Sequence, residues 1–144
     1  MTELPVTYRG VVYPWQCDHM NHMNVMWYVG KFDEATWNLL ALSGFTPSYL
    51  KSQNRAMVAV KQEIAYKREV VAGDTITIRS GVLELREKSV RFFHEMRNNQ
   101  TDEIAAVTVL VGVQLDATTR RSCPFAEDVL VRVRTMVTDY TPAL

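Results

Sequence analysis

The chain has 144 residues, no net charge and an apolar fraction of 47%, a composition typical of one soluble globular domain spanning residues 1–144. Because neither charge sign is in excess, neither nucleic acid nor an anionic membrane surface is expected as a partner. No apolar run is long enough to span a bilayer, and two cysteines do not form a disulfide framework, so we expect a cytoplasmic protein.

The first half of the chain predicts one strand, one polar loop and one long helix. Residues 6–13 are rich in β-branched and aromatic side chains, which favour a strand. Apolar residues then recur at steps of three and four over residues 25–43, the period of an amphipathic helix. Asn24 is a good N-cap for this helix, and Gly44 is a good residue for its end. The side chains expected on its buried face are Tyr28, Phe32, Ala35, Leu39 and Leu42.

The second half predicts four consecutive antiparallel strands followed by a short helix. Apolar and polar residues alternate from residue 56 onward, as they do in a strand with one buried face. The apolar phase of the next strand shifts at Ser80 and Gly81, which indicates a bulge. Residues 89–97 predict another strand, and the alternating valines from residue 107 onward predict the last one. Residues 125–138 favour an amphipathic helix. The alternating apolar positions of the last strand are Val107, Val109, Val111, Val113 and Leu115.

These elements predict an α+β fold in which one long helix packs on a five-stranded antiparallel sheet. A single helix covers only part of such a sheet. We therefore expect a homodimer, or a larger homo-oligomer such as a tetramer, to cover the rest.

The polar loop of residues 15–24 joins the first strand to the long helix and carries the candidate catalytic groups. The first N–H groups of a helix lack intrahelical partners, and the helix dipole favours negative charge at that end. A thioester carbonyl placed there would have its developing oxyanion stabilised. Asp18 is within reach of such a substrate and can either attack the carbonyl or activate a water. Because Asn24 already serves as the cap, Asp18 is available for chemistry.

The same loop and helix resemble the motif of a known enzyme family. The pattern D-x-x-x-H-x-N-x-x-x-Y…F-x-x-A of hotdog-fold acyl-CoA thioesterases, the group that includes relatives of 4-hydroxybenzoyl-CoA thioesterase, is matched by Asp18, His22, Asn24, Tyr28, Phe32 and Ala35. Later segments are similar to the family's strands, namely Tyr66-Lys67-Arg68, Gly73-Asp74, Val113 to Asp116 and Arg120-Arg121. Relatives often carry glycine where this chain has Asn21, a residue that tolerates left-handed backbone angles.

The resemblance implies a hotdog fold, in which the sheet wraps the central helix and active sites lie at a dimer interface. It also implies hydrolysis of a small acyl-CoA, with Asp18 as the catalytic carboxylate and the backbone N–H of Val25 as an oxyanion donor. His22 is expected either to orient the loop or to contact substrate. No cofactor is expected, because CoA is part of the substrate.

The acyl group is expected to be short, because bulky indoles flank the catalytic loop. Trp15 and Trp27 suit either an aromatic acyl group or a quaternary ammonium, with Asp33 or Glu34 as a nearby carboxylate. The chain is also similar to the betainyl-CoA thioesterases of carnitine catabolism. The residues expected to contact the substrate, including basic side chains for the CoA phosphates, are Trp15, Asn24, Trp27, Tyr28, Glu34, Arg68, Lys88 and Arg91.

The residues also raise the question of a metal site, and they leave open two alternatives to a thioesterase. The loop side chains of Cys17, His19 and His22 could bind a metal, but no regular fourth ligand accompanies them, so no metal site is expected. A non-catalytic acyl-thioester-binding hotdog protein would keep the same fold. A hotdog dehydratase would instead need a His or Glu placed beside the acyl chain.

Overall fold

The computed structural model describes residues 3–144, which form one five-stranded antiparallel sheet with a long helix and two short ones. In chain order the elements are β1 (Val6–Val11), α1 (Val25–Leu42), α2 (Pro47–Ser52), β2 (Arg55–Tyr66), β3 (Thr75–Leu85), β4 (Ser89–Asn98), β5 (Ile104–Asp116) and α3 (Glu127–Arg134). None of the described helices has the length and hydropathy needed to cross a membrane. The predicted α+β hotdog architecture is confirmed.

The strands lie in the order β1-β3-β4-β5-β2. Although β2 directly precedes β3 in the chain, the two strands are therefore not neighbours in the sheet. β2 crosses to the far edge of the sheet and pairs with β5, for example Gln62 with Leu110. The other edge of the sheet is β1, whose last residue Val11 pairs with Thr75 at the start of β3. β2 is therefore an edge strand of 12 residues.

Helix α1 packs across the inner face of β1, β3 and β4. Tyr28, Phe32, Ala35 and Leu39 are buried as predicted, but Leu42 is 46% exposed and Leu40 is buried in its place. The unpredicted helix α2 explains the difference. Its residue Leu50 and the preceding Phe45 join the same apolar cluster as Leu40, which covers that side of the last turn of α1.

The outer face of the sheet carries the alternating valines of β5. Val109, Val111 and Val113 are half-buried there, whereas Leu110 and Gly112 face the core. The C-terminal segment covers another part of the outer face, where Tyr140 stacks on Phe93 with 4.3 Å between ring centroids. A covering segment at this point requires a small residue on β3. A Cβ at Gly81 would lie 2.9 Å from Phe93 and 3.0 Å from Thr138.

Several predicted boundaries were wrong. β1 ends at Val11 rather than at residue 13, because Pro14–Gln16 forms a 3-10 turn. The C-terminal helix is shorter than residues 125–138, and the register of β3 shifts between Val82 and Glu84 rather than at Ser80. Ser80 and Val82 are buried on the same face of β3 as Ile76 and Ile78, so the alternation of buried and exposed residues changes only at Leu83.

Candidate active site

The loop between β1 and α1 is a tight hairpin held by backbone hydrogen bonds. Cys17 and Met23 form an antiparallel bridge, and the N–H of Asp18 donates to the carbonyl of His22 at 3.1 Å. Asn21 closes the turn with a positive φ of 66°, the left-handed conformation that asparagine tolerates. The N–H of Met23 donates to the carbonyl of Val70 at 2.8 Å, which anchors the hairpin to the β2–β3 connection. The turn therefore forms with asparagine at its left-handed position.

The Asp18 carboxylate has a fixed orientation. Its Oδ1 accepts a hydrogen bond from the N–H of Met20 at 2.8 Å, and its Oδ2 accepts one from Nδ2 of Asn24 at 2.9 Å. The side-chain bond from Asn24 and then the backbone bond from Met20 lower the pKa of Asp18 below its usual value. Asp18 is half-buried and ionised at neutral pH, which is the form needed by a nucleophile or a general base.

Asn24 connects the carboxylate to the helix. Its Oδ1 accepts from the N–H of Met26 at 2.9 Å, so it caps α1 as predicted, while its amide nitrogen donates to Asp18. The next N–H, that of Val25, donates no hydrogen bond within residues 3–144, and Val25 is exposed. An unpaired N–H at the positive end of a helix, beside an oriented carboxylate, is an arrangement that can stabilise an oxyanion.

A shallow pocket of about 310 Å³ opens at this end of the helix. It is lined by the loop, the first turn of α1 and the end of β2, and its walls include His22, Val25, Tyr28 and Tyr66. The rings of Tyr28 and Tyr66 meet edge to face with centroids 5.2 Å apart. Nδ1 of His22 donates to the Met23 carbonyl at 3.2 Å, so this side chain helps to hold the loop while it faces the pocket.

The structure brings only some of the predicted substrate-binding residues to this pocket. Tyr28 and Arg68 line the pocket, and the hydroxyl of Tyr28 donates to the Arg68 carbonyl at 3.4 Å. Lys88 and Arg91 lie at the β3–β4 hairpin, the opposite end of β3 from the loop, about 30 Å away within one chain. Glu34 is exposed on α1.

The two indoles that flank the loop differ in their surroundings. Trp15 is 68% exposed and stacks on Tyr13 with ring centroids 4.5 Å apart. Trp27 is half-buried and packs against the apolar cluster beneath α1, so it is partly a core residue. Of the two, Trp15 is the ring that leaves most of its surface free for a ligand.

A second concave feature, not predicted from the sequence, lies farther along α1. It is an apolar groove of about 70 Å³ between the helix and β2, with Asp33, Trp37 and Met57 among its lining residues. A larger cleft, about 610 Å³, lies between Pro5 and the C-terminal segment near Gly81. Gly81 is about 20 Å along β3 from the loop of residues 15–24, so that cleft is not part of this site.

No group of three or more His, Cys, Asp or Glu side chains in the described part of the chain is arranged to hold a metal ion.

Comparison with known proteins places this chain in a family. The sequence profile of the thioesterase-like superfamily matches residues 12–133, which include the loop, α1 and the whole sheet except β1. The chain belongs to the thioesterase-like superfamily. This membership confirms the predicted family and the predicted class of enzyme, an acyl-CoA thioester hydrolase.

Individual relatives agree with this membership. The chain is 25% identical over 138 residues to a betainyl-CoA thioesterase of Pseudomonas aeruginosa, covering 94% of this chain and 86% of that protein. The fold is similar to that of a Staphylococcus aureus protein solved in complex with CoA, with a TM-score of 0.86, 16% identity and coverage of 98% and 91%. A 1,4-dihydroxy-2-naphthoyl-CoA thioesterase from Synechocystis has a TM-score of 0.78, 15% identity and coverage of 90% and 95%.

Proposed function

We propose that this protein hydrolyses a short acyl-CoA to the free acid and CoA, with Asp18 as the catalytic carboxylate. The observation that carries the proposal is the Asp18 carboxylate, oriented by Asn24 and Met20 next to the unpaired N–H of Val25. The substrate carbonyl would lie between the two, with its oxygen accepting the Val25 hydrogen bond. This placement would bring the carbonyl carbon near the carboxylate, as acyl transfer needs.

Two routes lead from this arrangement to the same products. In one, an Asp18 oxygen bonds to the carbonyl carbon, the C–S bond breaks, and water hydrolyses the mixed anhydride that results. In the other, Asp18 takes a proton from a water that attacks the carbonyl. Both routes use ionised Asp18. The leaving group is a thiol, and because a model thiol has a pKa of about 8.5, it can leave without a strong general acid.

The acyl group is proposed to be small and cationic, of the betaine type. Support comes from the Pseudomonas aeruginosa relative, whose name specifies betainyl-CoA, and from the small pocket at Val25. In such a substrate the quaternary nitrogen lies one methylene from the reacting carbonyl, so it would be close to the Asp18 carboxylate. Attraction between a cation and an aromatic face adds about 0.5–2 kcal/mol per ring, and Trp15 offers one exposed face.

CoA phosphates are proposed to bind at the rim of the same pocket. Lys67 and Arg68 stand there, both exposed, and Arg68 forms an ion pair with Glu103 at 3.4 Å. Exposed ion pairs of this kind contribute little stability, so a phosphate can compete for the guanidinium. Lys88 and Arg91 can join this set only if a second protomer brings them to it.

The protein is also proposed to act as a homodimer or a higher homo-oligomer. β2 presents 12 residues at an open sheet edge, and apolar side chains of α1 beside it are exposed, with Val25 at 55% and Val29 at 40%. Open edges and exposed apolar stripes are typical of interfaces.

A panel of acyl-CoA substrates, with free thiol detected by a disulfide reagent, tests the proposed function. The panel contains betainyl-CoA, benzoyl-CoA, butyryl-CoA and palmitoyl-CoA. The proposal predicts the highest kcat/KM for betainyl-CoA and the lowest for palmitoyl-CoA. Absence of thiol release from every member, with binding retained, would instead identify a non-catalytic acyl-thioester-binding protein.

A further inference from the structure

The pocket beside Val25 contains a carboxylate, that of Glu69, in the connection between β2 and β3. Its side chain is 73% exposed, and its Oε1 lies 3.6 Å from Nε2 of His22. Burial is the main cause that raises the pKa of Tyr28, and the charge of Glu69 raises that pKa as well. The carboxylate is therefore near the Tyr28 hydroxyl, and a neutral His22 imidazole leaves its charge free to attract a cation.

We infer that the Glu69 carboxylate and the ring of Tyr66 hold the quaternary ammonium of the acyl group, and that they set a preference for a cationic acyl-CoA. The inference rests on the proposed thioester hydrolysis and names the groups that recognise its substrate. It assigns the role that the sequence gave to Asp33 or Glu34 to a carboxylate that lines the pocket.

Two tyrosine rings form the aromatic part of this pocket. The ring planes of Tyr28 and Tyr66 lie at 84° to each other, so they form two perpendicular surfaces. Tyr28 is 4% exposed and forms the floor of the pocket, whereas Tyr66 is 46% exposed and forms a wall. A quaternary ammonium donates no hydrogen bond, so an aromatic surface and a carboxylate are the groups that attract it. Tyr66 and Glu69 supply both.

The position of Glu69 fits the short distance between the cation and the reacting carbonyl. In a betaine-type substrate the nitrogen lies one methylene from the carbonyl, whose oxygen is proposed to bind the Val25 N–H. Val70, the neighbour of Glu69, accepts a hydrogen bond from the N–H of Met23 at 2.8 Å. Met23 is two residues before Val25, which is at most about 7 Å of chain. This hydrogen bond therefore holds Glu69 close to the proposed oxyanion donor.

The carboxylates of α1 are less well placed for this role. Asp33 and Glu34 lie at least eight residues beyond the first residue of α1, about 12 Å along its axis, and neither lines the pocket. Among the described residues that do line it, Glu69 is the one carboxylate. The neighbouring guanidinium of Arg68 pairs with Glu103 at 3.4 Å, so it does not neutralise Glu69.

The charge is tested by comparing betainyl-CoA with its neutral isostere, 3,3-dimethylbutyryl-CoA. Glu69→Gln removes the charge and keeps the shape of the side chain, so kcat/KM should fall about 10-fold for betainyl-CoA and stay unchanged for the isostere. The matched control is Glu63→Gln, which replaces an exposed glutamate of β2 that pairs with Lys61 at 3.2 Å, and it should keep both values. A wild-type betainyl preference in Glu69→Gln, or loss of that preference in Glu34→Gln instead, would overturn the inference.

The ring is tested by two substitutions of Tyr66 with the same pair of substrates. Tyr66→Phe keeps an aromatic face, so it should keep the preference for betainyl-CoA. Tyr66→Leu removes that face and should lower kcat/KM for betainyl-CoA by about 3- to 10-fold, with little change for the isostere. An equal loss for both substrates in Tyr66→Leu would mean that the side chain only fills space, and it would overturn the role of the ring.

Tetramethylammonium as a competing cation separates this inference from the proposed function. With the ionic strength held constant by sodium chloride, it should inhibit hydrolysis of butyryl-CoA by the wild type, and Glu69→Gln should need about 10-fold more of it for the same inhibition. Hydrolysis of butyryl-CoA that tetramethylammonium leaves unaffected would overturn the cation site while leaving thioester hydrolysis in place. A folded wild-type protein that releases no thiol from butyryl-CoA or betainyl-CoA would instead contradict the proposed function itself.

Discussion

Asn24 makes two hydrogen bonds that substitution can separate. Its oxygen accepts from the Met26 N–H and caps α1, and its nitrogen donates to Asp18. Asn24→Ala removes both bonds. Asn24→Asp keeps an acceptor for the cap, since aspartate and asparagine are equally good N-caps, but replaces the donor by a second carboxylate beside Asp18. Both variants therefore lose the hydrogen bond donated to Asp18, but only Asn24→Ala also loses the cap of α1.

The expected magnitudes follow from these contacts. Loss of the cap in Asn24→Ala should cost about 1 kcal/mol, or about 2–4 °C in Tm for a domain of this size, whereas Asn24→Asp should stay near the wild-type Tm. The Asn24 bond is the first cause of the lowered pKa of Asp18, so its loss raises that pKa in both variants. The like charge in Asn24→Asp raises it further. Because the ionised form is the active one, the acid limb of kcat/KM moves to higher pH.

Thiol release measured against pH, with Tm determined on the same samples, checks these expectations. A carboxylate that has lost its fixed orientation should also cost about 10- to 100-fold in kcat/KM on the plateau for Asn24→Ala. Wild-type acid limbs and plateau rates in both variants would refute the assignment of Asn24 as the group that orients Asp18.

Two further predictions concern single backbone positions. Val25→Pro should lower kcat by about 10²–10³-fold with an unchanged Tm, since proline is favoured at the first helical residue and removes only the N–H assigned to the oxyanion. Val25→Ala is the control, because it keeps that N–H. Equal rates for the two variants would contradict the assignment. Gly81→Ala should lower the free energy of unfolding by about 1–3 kcal/mol in denaturant titrations, because its Cβ would meet Phe93 and Thr138; a wild-type midpoint would show that the C-terminal segment does not pack there in solution.

The loop of residues 15–24 could be predicted from the sequence because its structure is local. The cap at Asn24, the left-handed Asn21 and the period of α1 depend on residues a few positions apart. Asp18 could be singled out for the same reason, since the cap role was already taken by a neighbour in the chain.

The surroundings of the loop could not be predicted, because they depend on pairing between distant segments. The alternation from Val107 to Leu115 fits a strand equally well whichever face is turned to the core, and only the β4–β5 pairing decides it. The sequence places Lys88 next to the end of a strand but does not say at which edge of the sheet that end lies. In the structure it is the end far from Asp18. The groove at Trp37 exists because β2 crosses to the edge beside β5, a choice with no signature in its own residues.

Thiol release by the Asp18→Asn variant tests the central claim most directly. The substitution keeps the shape of the side chain and removes its charge, so circular dichroism and Tm should show an intact fold. The account predicts that kcat/KM for the preferred acyl-CoA falls by at least about 10²-fold, the usual cost of losing a nucleophile or general base. A folded Asp18→Asn protein that turns over at close to the wild-type rate would contradict it.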